Sequence, residues 1–199
     1  MRRIATTFIT LIGLAGDLSA QHAWTVTVER GFTAFSMAAH DTSTPQIRIV
    51  PWHPAAYSIR VSRGGAGVGY ALALTAANGQ MGATIGDVVI LPGAGLLLLE
   101  VAPELQLRLA TSSSGAALIG HAGPVFDIWA PDGDDVRTAY GGMGGVTLSL
   151  PVAGRWSAAI RADLAVTGSE ATPAEESAEI KRAKTMRRGR LALGITRTL

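Results

Sequence analysis

LLLLEVAPELQLRLA, residues 96–110, decides how this chain folds. As a helix, it puts Glu100, Glu104 and Arg108 at i, i+4 and i+8, which is one face. Gln106 then falls on the opposite face among leucines. Pro103 would sit in mid-helix, at a cost of about 3 kcal/mol. As a strand, Leu99, Val101, Pro103, Leu105, Leu107 and Leu109 point one way, while Glu100, Ala102, Glu104, Gln106, Arg108 and Ala110 point the other. The whole stretch from 99 to 110 obeys period two, so it reads as a strand with one apolar and one polar face. Pro103 is its awkward residue, because it cannot donate to a ladder.

The same pattern recurs along the chain. WTVTVE (24–29), YSIRVS (57–62), VGYALALT (68–75), GVTLSL (145–150), RWSAAIRADLAVT (155–167) and GRLALGIT (189–196) all alternate. ALIGHAGPVFDIWA (117–130) is less regular but is bounded like the rest. With residues 96–110 these are eight strand candidates. The joins RGGAG (63–67), TSSSG (111–115) and PVAG (151–154) are short. The other joins are mostly longer by these boundaries. Alternating short and long connections predict an up-and-down meander with its long loops at one end. An even number of strands brings both termini to the same end.

Composition narrows the setting. The chain has 199 residues, one ordinary domain. It is 48% hydrophobic and only 16% charged, with a mean hydropathy of +0.29. No run of about 18 apolar residues follows the N-terminal segment, so the apolar content belongs to the alternating faces. The absence of cysteine excludes disulfides, Cys-based metal sites and a lipoprotein anchor. Residues 1–20 read as a secretory signal: Arg2 and Arg3, then the apolar IATTFITLIGLAG (4–16), with a cut after Ala20 or Ala23. A mature domain from residue 21 to 199 keeps 15 basic and 14 acidic residues, so the high isoelectric point does not indicate nucleic acid.

The polar face carries Glu29, Arg60, Glu100, Glu104, Arg108, Asp127, Arg137, Arg161, Asp163 and Arg190, five acids and five bases. A soluble sandwich of two sheets would turn this face to water. A membrane barrel turns the leucines to lipid and pairs the charges inside. The exported N-terminus, the loop pattern, and Trp24, Trp129 and Trp156 near strand ends favour the membrane.

These residues resemble the small eight-stranded outer-membrane barrels of the OmpA/OmpX type and porin-like barrel domains, over residues from about 22 to 199. The terminal RLALGITRTL is similar to the alternating last strand that the barrel-assembly machinery reads, with Leu191, Leu193 and Ile195 in place. Arg197 and Leu199 depart from the pattern, whose final residue is often aromatic. The resemblance implies a monomer in the outer membrane, in contact with its lipid and lipopolysaccharide. A structural, envelope or surface-interaction role follows. A barrel of about eight strands is filled by side chains, so no substantial pore is expected.

Signs of chemistry are weaker. RGGAGVG (63–69) places Tyr70 where a dinucleotide loop needs glycine, and reads as a tight turn. GGMGG (141–145) reads as close packing inside a narrow barrel. PDGDD (131–135) reads as a turn rather than a calcium loop. His22, His40, His53 and His121 have no metal-ligand spacing, and no cofactor is expected. Lipid A deacylases share this barrel size, but they carry His and Ser two residues apart, and Gly123 stands two after His121. His121 is expected as an interior polar residue. TPAE (172–175) is a capping box that predicts a short helix through EESAEIKRAK (175–184). Lys181, Arg182, Lys184 and Arg187, in KRAKTMRRGR (181–190), are candidates for contact with lipopolysaccharide phosphates.

Overall fold

A computed structural model describes residues 23–36, 39–41, 47–64, 67–85, 88–90, 95–133, 135–168 and 180–199. The expected signal segment, residues 1–20, lies outside the described residues. Eleven strands follow in chain order: β1 (Ala23–Phe35), β2 (Ala39–Asp41), β3 (Ile47–Gly64), β4 (Val68–Ile85), β5 (Val88–Ile90), β6 (Gly95–Thr111), β7 (Ala117–Pro131), β8 (Arg137–Ala153), β9 (Trp156–Gly168), β10 (Ile180–Arg182) and β11 (Thr185–Thr198). Eight of them close on themselves in the antiparallel order β1-β3-β4-β6-β7-β8-β9-β11. The ring is completed between Val28 and Ile195 on one side and Val28 and Ile59 on the other. No sheet faces another, so the soluble-sandwich reading falls. The short strands β2, β5 and β10 extend the wall at the long-connection end.

The register fixes the geometry. Stepping across paired residues runs from Trp24 through Arg63, Tyr70, Leu105, Ala122, Gly144, Leu164 and Gly189 to Ala34. The path returns to β1 ten residues further on, at 34 against 24. Eight strands with that stagger tilt by about 40° and make a barrel of about 8 Å backbone radius. Each residue then climbs about 2.5 Å along the axis, and each step from strand to strand in that direction climbs about 3 Å.

Period two puts the leucines outside. Leu72, Leu74, Leu99, Leu105, Leu107, Leu164, Leu191, Leu193 and Ile195 are all exposed, whereas Glu29, Arg60, Glu104, Asp127 and Arg161 are buried. An inverted hydropathy of this kind is stable only with apolar solvent around the barrel. The outward belt starts at the level of Trp24 and Trp156 and ends about 25 Å above it, near Tyr140, the height of a transmembrane barrel's apolar band. Pro103 is accommodated in that wall. Counting inward from the pairs Val101–Phe126 and Leu105–Ala122 puts Pro103 opposite Pro124, so the two missing donors share one break in the ladder.

The strands run further than the hydropathy pattern. β3 starts at Ile47 rather than residue 57, β4 ends at Ile85 rather than 75, β8 starts at Arg137 rather than 145, and β11 starts at Thr185 rather than 189. Backbone pairing continues past the lipid belt, where Asn78 and Gln80 replace leucine and one face no longer needs to be apolar. A bulge between Trp52 and Ala55 also breaks the alternation in β3. The connection between β7 and β8 is correspondingly brief. The helix expected over 175–184 is corrected at its end: residues 180–182 pair with 39–41 as a strand. Residues 169–179 lie outside the described residues.

Candidate functional site

The lumen is filled in storeys. At the short-turn end lies a cavity of about 620 Å³, walled by hydroxyls such as Thr25, Ser62, Thr147, Ser157 and Thr196, with Arg60 above. The middle is charged. The long-connection end is closed by Trp129, Met186, Leu96, Leu98, Met81 and Ala77, with Phe35 against the Trp129 ring. Trp129 was expected at the membrane interface, but its odd number in β7 turns it inward and it is fully buried.

The charged storey is one alternating chain. Arg60 donates to both Glu29 oxygens at 2.7 and 2.8 Å, and its Nε lies 3.5 Å from Glu104. Glu104 accepts from Arg161 Nη2 at 2.7 Å. Arg161 Nε donates to Asp163 at 2.8 Å, and Asp163 also accepts from Arg190 Nη2 at 2.8 Å. Arg190 reaches Thr75 at 2.8 Å and Glu100 at 3.2 Å. Arg188 bonds Glu100 and, at 2.9 Å, Asp127. The order Glu29–Arg60–Glu104–Arg161–Asp163–Arg190–Glu100–Arg188–Asp127 gives every carboxylate at least one guanidinium and every guanidinium two carboxylates. Four strands, β3, β6, β7 and β9, contribute to it besides β1 and β11. Pairing of this kind is what makes buried charge tolerable.

Gly145 makes room for the side branch of this chain. His121 Nε2 lies 2.6 Å from Asp163 Oδ1, and the His121 side chain is wholly buried. A methyl group on Gly145 would come within 2.7 Å of that nitrogen and 2.8 Å of that oxygen. Of the GGMGG glycines, Gly141 and Gly145 thus serve close packing, whereas Gly142 and Gly144 face outward with room for a methyl group.

Eight of the ten expected interior residues enter the chain of ion pairs: Glu29, Arg60, Glu100, Glu104, Asp127, Arg161, Asp163 and Arg190. Arg108 does not. It lines the open cavity and is exposed, because β6 reaches the short-turn mouth there and bulges between Arg108 and Ala110. Arg137 stands at the long-connection end of β8, level with Trp129 and half-buried. Arg188 was missed because its stretch looked like a charged loop. Its parity with Arg190 and Ala192 carries the signal. Asp132 accepts from Gly95 N at 3.2 Å in a turn with Gly133 at φ 77°. No group of three metal ligands occurs among the described residues.

At the long-connection end, Lys184 and Arg187 are exposed. Lys181 pairs in register with His40, which pairs with Arg48, so three basic residue types share one row across β10, β2 and β3.

Solved structures share this architecture. The chain is similar to Neisserial surface protein A (TM-score 0.54, 12% identity, 88% of this chain and 97% of that one). It is similar to outer membrane protein AlkL, solved in lipid bilayers (TM-score 0.63, 9% identity, 90% of each chain). It is also similar to the attachment invasion locus protein Ail of Yersinia pestis, solved with the heparin analogue sucrose octasulfate (TM-score 0.53, 9% identity, 90% of this chain and 100% of that one). No protein-family model and no curated protein sequence matches the chain. The fold is that of a small outer-membrane β-barrel, with its leucines set in a membrane.

Proposed function

We propose that the protein is a non-conducting barrel of the bacterial outer membrane, acting through its long-connection end on the phosphates of outer-leaflet lipopolysaccharide. The observation that carries this reading is the closed lumen: an apolar plug around Trp129 stands above a continuous chain of ion pairs. Side chains fill the described lumen at these levels, which favours work at the surface. Short turns belong at the periplasmic end of such barrels, which puts Lys184, Arg187 and the Lys181–His40–Arg48 row outside the cell. Clustered cations near a headgroup layer bind phosphate. Ail, bound to a sulfated sugar, is a fold relative that holds a polyanion, which supports the same chemistry here.

A lipid-modifying enzyme is not favoured. Such a site must present its base to acyl chains, and His121 points into the lumen, with its side chain wholly buried. Two measurements test the proposal. Planar bilayers containing the folded protein should show no conductance above lipid leak, and sustained open channels would overturn the closed-lumen reading. Reversing Lys181, Arg182, Lys184 and Arg187 to Glu should cut lipopolysaccharide binding at least ten-fold. Unchanged binding would sink the surface role.

A further inference from the structure

The opposite end of the barrel carries a second cationic feature that the long-connection end does not explain. On the outward face at the short-turn level, five neighbouring strands present Trp156 (β9), Arg197 (β11), Trp24 (β1), Arg63 (β3) and Tyr70 (β4). Arg197 lies over the Trp156 ring at 5.4 Å, and Arg63 over the Trp24 ring at 5.4 Å. Tyr70 meets Trp24 edge-on at 6.3 Å. Register and tilt put all five within about 8 Å of one height. The other three barrel strands show aliphatic side chains at this end, Leu107, Leu109, Leu118, Leu148 and Val152. The ring is therefore one-sided.

Charge sharpens the picture. Arg155 is exposed in the adjoining turn and Arg108 at the mouth. No Asp or Glu occurs in residues 61–70, 105–120, 144–160 or 191–199, the parts of the strands that reach this end. Neither Arg63 nor Arg197 has an ion-pair partner among the described residues. A place over the indole ring leaves the N–H groups of each guanidinium free to bind an anion. Two arginines on strands two apart stand about 10 Å from each other. They sit where the apolar belt meets the headgroup layer.

We infer that this sector is a binding site for an anionic phospholipid of the leaflet facing the short turns, with headgroup phosphate on Arg63 and Arg197 and its glycerol region against Trp24 and Trp156. Arginine's planar fork suits the phosphodiester, and the rings supply an interface that is apolar at one end and wet at the other. The site commits to lipid rather than to a soluble anion, because both guanidiniums lie on the outward wall, and the lumen cavity is on the other side of it.

Native mass spectrometry of the folded full-length protein, released from micelles doped equally with phosphatidylglycerol and phosphatidylcholine, tests this. The wild type should retain phosphatidylglycerol in preference, by about five-fold for each arginine engaged. Arg63→Gln with Arg197→Gln should abolish the preference, while Arg187→Gln at the other end should leave it intact. Trp24→Leu with Trp156→Leu, which keeps both charges, should weaken it partly. Equal retention of the two lipids by the wild type would overturn the inference whatever the variants do. So would a preference that survives loss of both arginines, or one lost equally in Arg187→Gln. Lipopolysaccharide is absent from this assay, so its outcome is independent of the surface role proposed above.

Discussion

Arg30 gives the most direct test of where the membrane lies. It faces outward on β1, about 15 Å above the Trp24 level in a belt about 25 Å tall, so it stands near the middle of the apolar layer. Its neighbours Val28, Phe32, Tyr57 and Leu193 are exposed apolar or aromatic residues. An arginine on the lipid face costs about 2–4 kcal/mol at mid-depth and about 0–1 kcal/mol near the interface. The guanidinium recovers part of that by lying over the Tyr57 ring at 5.7 Å, a contact worth about 0.5–2 kcal/mol. The balance predicts that Arg30→Leu stabilises the barrel by about 1–3 kcal/mol, whereas Arg30→Lys keeps the cost. Reversible urea unfolding in phospholipid vesicles, followed by the mobility difference of folded and unfolded protein on SDS gels, measures both. A destabilisation of Arg30→Leu by more than about 1 kcal/mol would refute the reasoning. It would mean that the guanidinium is held by a partner, or that this face does not meet lipid.

Arg161→Met removes the closest guanidinium from buried Glu104, leaving it Arg60 at 3.5 Å, and one of two from Asp163, and should cost about 3–5 kcal/mol in the same unfolding assay, part of it regained by adding Glu104→Gln. Gly145→Ala should lower stability by about 1–3 kcal/mol or more, because its methyl group would overlap the Ala162 carbonyl oxygen and press on the His121–Asp163 contact, and the shift in urea midpoint reports it. Trp129→Ala should cost about 3–5 kcal/mol through the cavity it leaves, yet planar-bilayer conductance should stay at leak, because the ion-pair chain still closes the lumen.

The barrel was legible because its defining signal is repeated. Residues 96–110 alone leave helix and strand in competition, but seven further alternating segments and the short joins agree on one topology. The interior acids were legible for the same reason: a charge at even period within an apolar strand has only the lumen to enter. The strand ends were not, since beyond the lipid belt the ladder is held by backbone hydrogen bonds that leave no hydropathy trace. Arg188 was hidden in KRAKTMRRGR, where density of charge masked parity. Trp129 misled because tryptophan at a strand end suits both the headgroup layer and a plug, and only its number relative to Asp127 separates them. The girdle of Arg63 and Arg197 needed the register, because its members come from distant parts of the chain.

The ion-pair chain has a consequence for how the barrel assembles. Read in the order the chain is made, the first six barrel strands bring Glu29, Glu100, Glu104 and Asp127 to the ion-pair chain, with Arg60 as their one guanidinium in it. Arg161, Arg188 and Arg190 arrive only with the last two strands. In a partly inserted sheet these carboxylates therefore lack three of the four guanidiniums that hold them in the finished barrel, and the sheet gains little by closing early on itself. Closure becomes favourable when β11 brings two guanidiniums to Glu100, Asp127 and Asp163 while it pairs with β1. This strand then pairs the waiting carboxylates in the same step that seals the wall, which ties closure of the barrel to its arrival.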